Sequence, residues 1–297
     1  GCIGSLGAIS EAGFNVIFGG GEPLLFPETV TELISSCHQK GFRTSLATSG
    51  YFLDREMANR LISAKLDYIA LTLYILEQKT HNSLRGVPDS HERLLQAIEY
   101  LDGLRGSSPL EIAIDTVIMA PNLKDILELA YWVNRNDRLR SIFFQAVVQP
   151  FHSRPQEEWH KSTEYSFLWP PDTDQIESVI DELIKLKKDN SAKGRDKINN
   201  PVSQLKLFKY YFRKPNDFIK KFSCNITAGD VFTVSPDGNV NLCPYLKPIG
   251  NIRTGDIKDI WHSQEAHQRR QEMAACKQNC HHIINCWYEE EPVSDKA

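Results

Sequence analysis

The chain of 297 residues lacks the marks of several whole classes of protein. No window approaches the roughly 18–20 uninterrupted apolar residues that a membrane-spanning helix needs. The longest apolar stretches, such as Tyr68 to Leu76, are strand-sized. No signal peptide opens the chain. Positive charge is not in excess: 34 Lys and Arg stand against 38 Asp and Glu, which argues against nucleic acid as the main partner. Low-complexity tracts and disulfide-dense composition are also absent. A protein of the cytoplasm is expected, without membrane or nucleic-acid partners, built as one large domain or a domain plus a small module. Missing too is an initiator methionine. The chain opens Gly1-Cys2 and its first methionine is Met57, which reads as a fragment.

What is present alternates short apolar runs with longer amphipathic ones. Asn15 to Phe18 is a short buried run that ends in Gly19-Gly20-Gly21. The spacing then predicts helices over 27–40, 54–64, 90–104 and 123–134, and strands over 44–48, 68–72, 111–119 and 141–148. Strands alternating with helices imply right-handed parallel β-α units. From 149 to 171 the pattern breaks into a connection rich in Pro, Trp and His. Helices are expected again over 174–188 and 201–212. The basic run from Lys185 to Lys197 reads as a solvated helix end. Val231–Val234 and Asn239–Leu242 flank Pro236-Asp237-Gly238, a hairpin signal.

Two motifs carry chemistry. Gly19-Gly20-Gly21-Glu22-Pro23 lies between a strand and a helix, where glycines let backbone approach a ligand closely. Glu22 there serves either as an acceptor for a ligand ammonium or as a cap on the next helix. Neither Gly-x-Gly-x-x-Gly nor Gly-Lys-Ser/Thr occurs, so dinucleotide and P-loop readings fail. The second motif is a cysteine set: five of seven cysteines, Cys224, Cys243, Cys276, Cys280 and Cys286, fall in the last 74 residues. Thiolates at such spacings hold an iron–sulfur cluster or structural zinc, the latter with His281 or His282 as a further ligand. Cys37 falls on an apolar helix stripe and reads as core. Asp172, Asp174, Glu157 and Glu158 read as helix-start or surface carboxylates. No serine sits in a nucleophile elbow.

Phe18-Gly-Gly-Gly-Glu-Pro-Leu-Leu25 closely resembles the Gly-Gly-Glu-Pro segment of radical S-adenosylmethionine (radical SAM) enzymes. Thr48-Ser49-Gly50, Thr72-Leu73-Tyr74, Arg85-Gly86 and Asn122 resemble that family's later strand-end motifs in order. The tail, with Cys224, Gly238 to Cys243, Gly250-Asn251-Ile252 and Ile260-Trp261, resembles the SPASM/twitch module. The resemblance implies an α/β fold: a partial (β/α)6 TIM-like barrel lacking its first β-α unit, plus a small cysteine-rich α+β domain. It implies a partial barrel over 1–150, a helical connection over 151–215 and an iron–sulfur domain over 216–297. SAM would be held by Gly20, Gly21, Glu22 and Pro23, with Thr48 and Thr72 positioned for its carboxylate and ribose. Four of the five tail cysteines would hold one auxiliary [4Fe–4S] cluster. Partners implied are SAM, an electron donor and a peptide or small-molecule substrate.

The family's cluster-binding Cys-x3-Cys-x2-Cys appears nowhere in the sequence; Cys2 has no partner at those spacings. Truncation is the expectation, a degenerate paralogue the rival, and the chain as given is expected not to cleave SAM. Ser49 and Tyr74 replace the family's Asn and Asp. Pro244 follows Cys243 where sulfatase-maturing relatives carry an Asp base, which disfavours that activity. The alternative from another class is a non-catalytic peptide-binding protein or partner subunit with a structural zinc or iron–sulfur tail.

Overall fold

The structure, a computed structural model, describes residues 15–106, 108–150, 156–217, 231–276, 280 and 284–285. Strands β1 (Asn15–Phe18), β2 (Arg43–Thr48), β3 (Tyr68–Thr72), β4 (Glu111–Ile118) and β5 (Ser141–Ala146) form one sheet in that spatial order. Every neighbouring pair is parallel. Helices α1 (Pro27–Gln39), α2 (Arg55–Ser63), α3 (Gln78–Arg85), α4 (Ser90–Arg105) and α5 (Ile126–Arg135) connect the strands. The periodicity found these elements to within a few residues, apart from α3, whose short polar sequence carries no apolar stripe.

Alternation along each strand separates two faces. Leu46, Ile69, Leu71, Ile112, Ile114, Ile142 and Phe144 share one apolar core with the helices. The opposite face carries Ser45, Ala47, Tyr68, Ala70, Thr72, Ala113, Asp115 and Phe143, in register across the sheet. It is the concave lumen of the partial barrel, and it is smaller and more polar than the packed side.

The segment expected as a connection shares the barrel's core. Helices α6 (Thr173–Ser191) and α7 (Val202–Arg213) contribute Ile176, Ile180, Leu183, Leu205, Phe208 and Tyr211 to it. The free edge of β5 is capped in three successive ways. Ile142 pairs with the backbone of Lys197 and Asn199 through bonds of 2.7 and 2.8 Å. The buried Asn200 side chain then accepts from Phe144 N at 2.7 Å and donates to Phe144 O at 2.8 Å, as a strand would. Asn285, from the far end of the chain, does the same for Ala146 at 2.8 and 2.9 Å. Asn200→Ala is therefore expected to cost about 3 kcal/mol, because it strands a buried N–H and C=O together. A urea melt with unchanged m-value is the check.

The basic run is only partly solvated. Lys187 turns inward to Asp196 and to the carbonyl of Ile198, both at 2.6 Å, and Lys197 donates to Asn136 O at 2.8 Å. These contacts correct the reading of the whole run as a solvated helix end.

The C-terminal unit is a three-stranded antiparallel sheet, β6 (Thr233–Val234), β7 (Asn239–Asn241) and β8 (Gly250–Asn251), followed by α8 (Ile257–Trp261) and α9 (Gln264–Ala274). Its Val240, Leu242, Ile249, Ile257 and Ile260 pack with Cys37 and Phe42 of the barrel. Cys37, fully buried there, is the core residue expected. Among the described residues no helix is long and apolar enough to cross a membrane.

Candidate functional site

Ligands of open parallel α/β folds sit beyond the C-terminal strand ends. At the end of β1 the chain turns through Gly19–Gly21, where Gly20 has φ +122°, a conformation side chains rarely adopt. Among the described residues, a Cβ added to Gly20 or Gly21 would meet no atom within 4 Å. The glycines thus leave space open rather than making room for a neighbouring side chain.

Glu22 follows, capping a 3-10 turn over Pro23–Leu25. Its Oε1 accepts from Leu24 N at 3.1 Å and from the Thr48 hydroxyl at 2.6 Å; its Oε2 accepts from Ser49 N at 3.0 Å and from the Ser49 hydroxyl. A carboxylate offers about four acceptor positions, and all are taken. Both oxygens of Glu22 are thus hydrogen-bonded within the protein. The side chain ties the end of β1 to the end of β2. Thr48 belongs to the same network. Buried on the helix side of β2, it donates to Glu22 and accepts from Gly50 N at 3.2 Å. Thr72, by contrast, stands on the lumen face at the end of β3, in register with Asp115.

Beyond β3, Asn122 is fully buried and pins three backbone groups. It accepts from Met119 N at 3.0 Å and donates to Tyr74 O and Val117 O, both at 2.8 Å. This bracket holds the end of β3 to the end of β4. His81 Nδ1 accepts from Tyr74 N at 3.3 Å; burial, then the neighbouring His91 and Arg85, push its pKa down to about 4. It is a neutral acceptor at physiological pH. Arg85 lies over the Tyr74 ring, 5.7 Å from its centroid. Asp115, mid-strand on β4, was not singled out from sequence. The signal was a lone acid inside the apolar run Ile112–Met119. Burial pushes its pKa up to about 6.

Of the cysteine set, Cys243, Cys276 and Cys280 are described; Cys224, Cys286, His281 and His282 lie outside the described residues, as does Cys2. Cys243 and Cys280 converge on Tyr245, whose pKa burial and these two sulfurs push up to about 12. Cys280 is also within electrostatic reach of Tyr211, whose hydroxyl donates to Val147 O at 3.0 Å just past β5. Cys276 is exposed at the end of α9. Among the described residues no three His, Cys, Asp or Glu side chains gather at metal-binding distance. With Asn285 bonded to β5, the tail is nonetheless anchored at the mouth of the barrel.

Residues 8–132 match the Radical SAM superfamily, and residues 224–287 match SPASM, an iron–sulfur cluster-binding domain. The barrel region thus matches the radical SAM superfamily and the C-terminal region the SPASM domain. The AdoMet-dependent heme synthase of Methanosarcina barkeri is 26% identical over 283 residues, covering 89% of this chain and 73% of that protein. The protein of that name from Nitratidesulfovibrio vulgaris is 29% identical over 278 residues, covering 84% and 66%. The solved structure of anSMEcpe with bound AdoMet superposes with a TM-score of 0.63 at 17% identity, covering 90% of this chain and 71% of that one; it has also been solved with AdoMet and the Kp18Cys peptide. The chain thus spans about two thirds to three quarters of the length of these relatives. The likeness in structure carries the fold: a radical SAM partial barrel with a small C-terminal domain.

SAM and [4Fe–4S] clusters are the cofactors of these two domains. The residues present fit both. Among the described residues the glycine loop leaves unfilled space at Gly20 and Gly21, as the close approach of a ligand requires. The tail donors are thiols, the ligand type iron–sulfur clusters take, and two of them already share one tyrosine's surroundings.

Proposed function

We propose that this radical SAM–SPASM chain forms the cofactor-holding body of an enzyme that modifies a peptide or small molecule by radical chemistry in the cytoplasm, with an electron donor. Bound to a cluster, SAM supplies a radical that takes a hydrogen atom from an unactivated C–H bond. The chain's own part is positioning. The carbonyls of Gly19–Gly21 accept from the ammonium of the SAM amino-acid end, while Glu22 and Pro23 hold that loop in shape. Thr48 acts through Glu22, and Thr72 offers its hydroxyl from the lumen face. Ala47, Ala70, Ala113 and Phe143 give the lumen a lining that sheds water from the reacting atoms. Four of Cys224, Cys243, Cys276, Cys280 and Cys286 hold one auxiliary cluster near the end of β5. The working units are the barrel over 1–150, the connection over 151–215 and the iron–sulfur domain over 216–297.

The observation that carries this reading is the saturated Glu22 carboxylate, which locks two strand ends around a glycine loop with open space beside it. On substrate, the M. barkeri relative's name points to a haem precursor and the anSMEcpe complex to a peptide. Pro244 after Cys243 argues against a base at that position. Anaerobic purification followed by iron, sulfide and zinc analysis tests the tail: iron and sulfide in about equal amounts are expected, and stoichiometric zinc without sulfide would sink the cluster assignment. Because the chain as given has no Cys-x3-Cys-x2-Cys, it is expected to form no 5′-deoxyadenosine from SAM under reducing, anaerobic conditions. Detection of that product refutes the expectation.

A further inference from the structure

The lumen contains one acidic side chain that the preceding reading leaves without work. Asp115 sits on β4 between Thr72 of β3 and Phe143 of β5, in register with both. Ile112 and Ile114, of opposite parity, are buried among the helices, so Asp115 points with Ala113 and Val117 into the barrel. Among the described residues its carboxylate has no hydrogen bond and no ion pair. Arg43, low in the sheet, is engaged at 2.9 Å by Glu111 at the opposite end of β4. The titratable group facing Asp115 from β3 is Tyr68, which is hydrogen-bonded to Ser141 of β5; β5 itself presents Ser141, Phe143 and Gln145, none of them ionisable near neutrality. A half-buried carboxylate without a partner among the described residues costs the fold, and its burial raises its pKa. Such a group is kept where a ligand brings the compensating charge.

We propose that Asp115 is the counter-charge of the lumen, receiving the sulfonium cation of SAM. The proposal rests on the SAM reading above. It follows from placement: the glycine loop of β1 takes the amino-acid end, Thr72 follows on β3, and Asp115 stands one strand further across the same face. The cation of a sulfonium is fixed and poorly hydrated, so a partly buried, unpartnered carboxylate suits it better than a water-facing one.

S-Adenosylhomocysteine separates charge from shape, since it keeps the ammonium, ribose and adenine but has a neutral sulfur. Equilibrium dialysis of the full chain, purified anaerobically, compares both ligands on wild type and Asp115→Asn. The expected result is roughly tenfold weaker SAM binding by the variant with S-adenosylhomocysteine binding unchanged. In parallel, carboxyl 13C NMR of wild type, assigned with the same variant, follows the Asp115 titration. SAM is expected to lower its midpoint and S-adenosylhomocysteine is not. Equal weakening of both ligands overturns the proposal, since it indicates contact with shared atoms or distortion of the site, and so does no change in either. Wild type binding neither ligand defeats the cofactor reading itself, an outcome visible without the variant. Melting curves guard against misfolding. The raised pKa means the ionised carboxylate destabilises the empty chain above about pH 6, and the penalty fades as pH falls through that value. Asp115→Asn is therefore expected to melt at or above wild type at pH 8.

Discussion

Replacing Glu22 by alanine is expected to lower the melting temperature by roughly 6–12 °C and to abolish SAM binding. Four donors converge on this carboxylate, from Leu24, Thr48 and Ser49, and all three residues are buried. Removing the acceptor leaves them unsatisfied in a place water reaches poorly. With partial relaxation the cost is about 3 kcal/mol, and each kilocalorie moves the melting point of a domain this large by roughly 2–4 °C. Glu22→Gln keeps the shape but turns an NH2 toward donors, so it is expected to fall between wild type and alanine. The comparison variant is Glu28→Ala. Glu28 is an exposed partner of Arg60 at 3.1 Å, and its loss is expected to leave the melting temperature close to that of wild type. Scanning calorimetry of the three variants decides the matter. Equal stability of Glu22→Ala and wild type would remove the clamp from the account of the site.

The second large effect is expected in the tail. Cys243→Ala and Cys280→Ala should each lose roughly nine tenths of the bound iron and sulfide, because each removes one of the four thiolates proposed to hold the auxiliary cluster. These two sulfurs act on the same tyrosine, Tyr245, though 36 residues of sequence separate them. Cys37→Ala is the internal comparison. That thiol is buried between α1 and the C-terminal unit, so its loss should cost about 1 kcal/mol of stability and leave the iron content unchanged. Iron retained in both tail variants, or lost in Cys37→Ala, would place the cluster elsewhere.

Much of this architecture is legible in the sequence because its causes are local. The stripe of Val30, Ile34 and Cys37 makes α1, and Asp54 accepting from Met57 N starts α2. Strand lengths, the glycine loop and the hairpin at Pro236-Asp237-Gly238 follow from the same short-range rules. Helix α3 was not legible, because its stability comes from the Glu77 cap and from His81 buried beneath it rather than from an apolar stripe. The aromatic cluster of Trp159, Trp169, Tyr211 and Phe212 joins segments that look like a linker when read singly.

The sequence by itself determined the order of β-α units, the glycine-Glu-Pro loop at a strand end and the five-cysteine tail. Each depends on spacing along the chain. Only the tertiary structure decided which polar atoms remain available. It gave Glu22 four donors from within the protein, the Thr48 hydroxyl among them. It spent Asn200 and Asn285 as surrogate strand edges, and left Asp115 facing the lumen without a partner among the described residues. Hydrogen-bond capacity is allotted by neighbours brought together from distant segments, and for a buried carboxylate that allotment separates a structural clamp from a ligand contact.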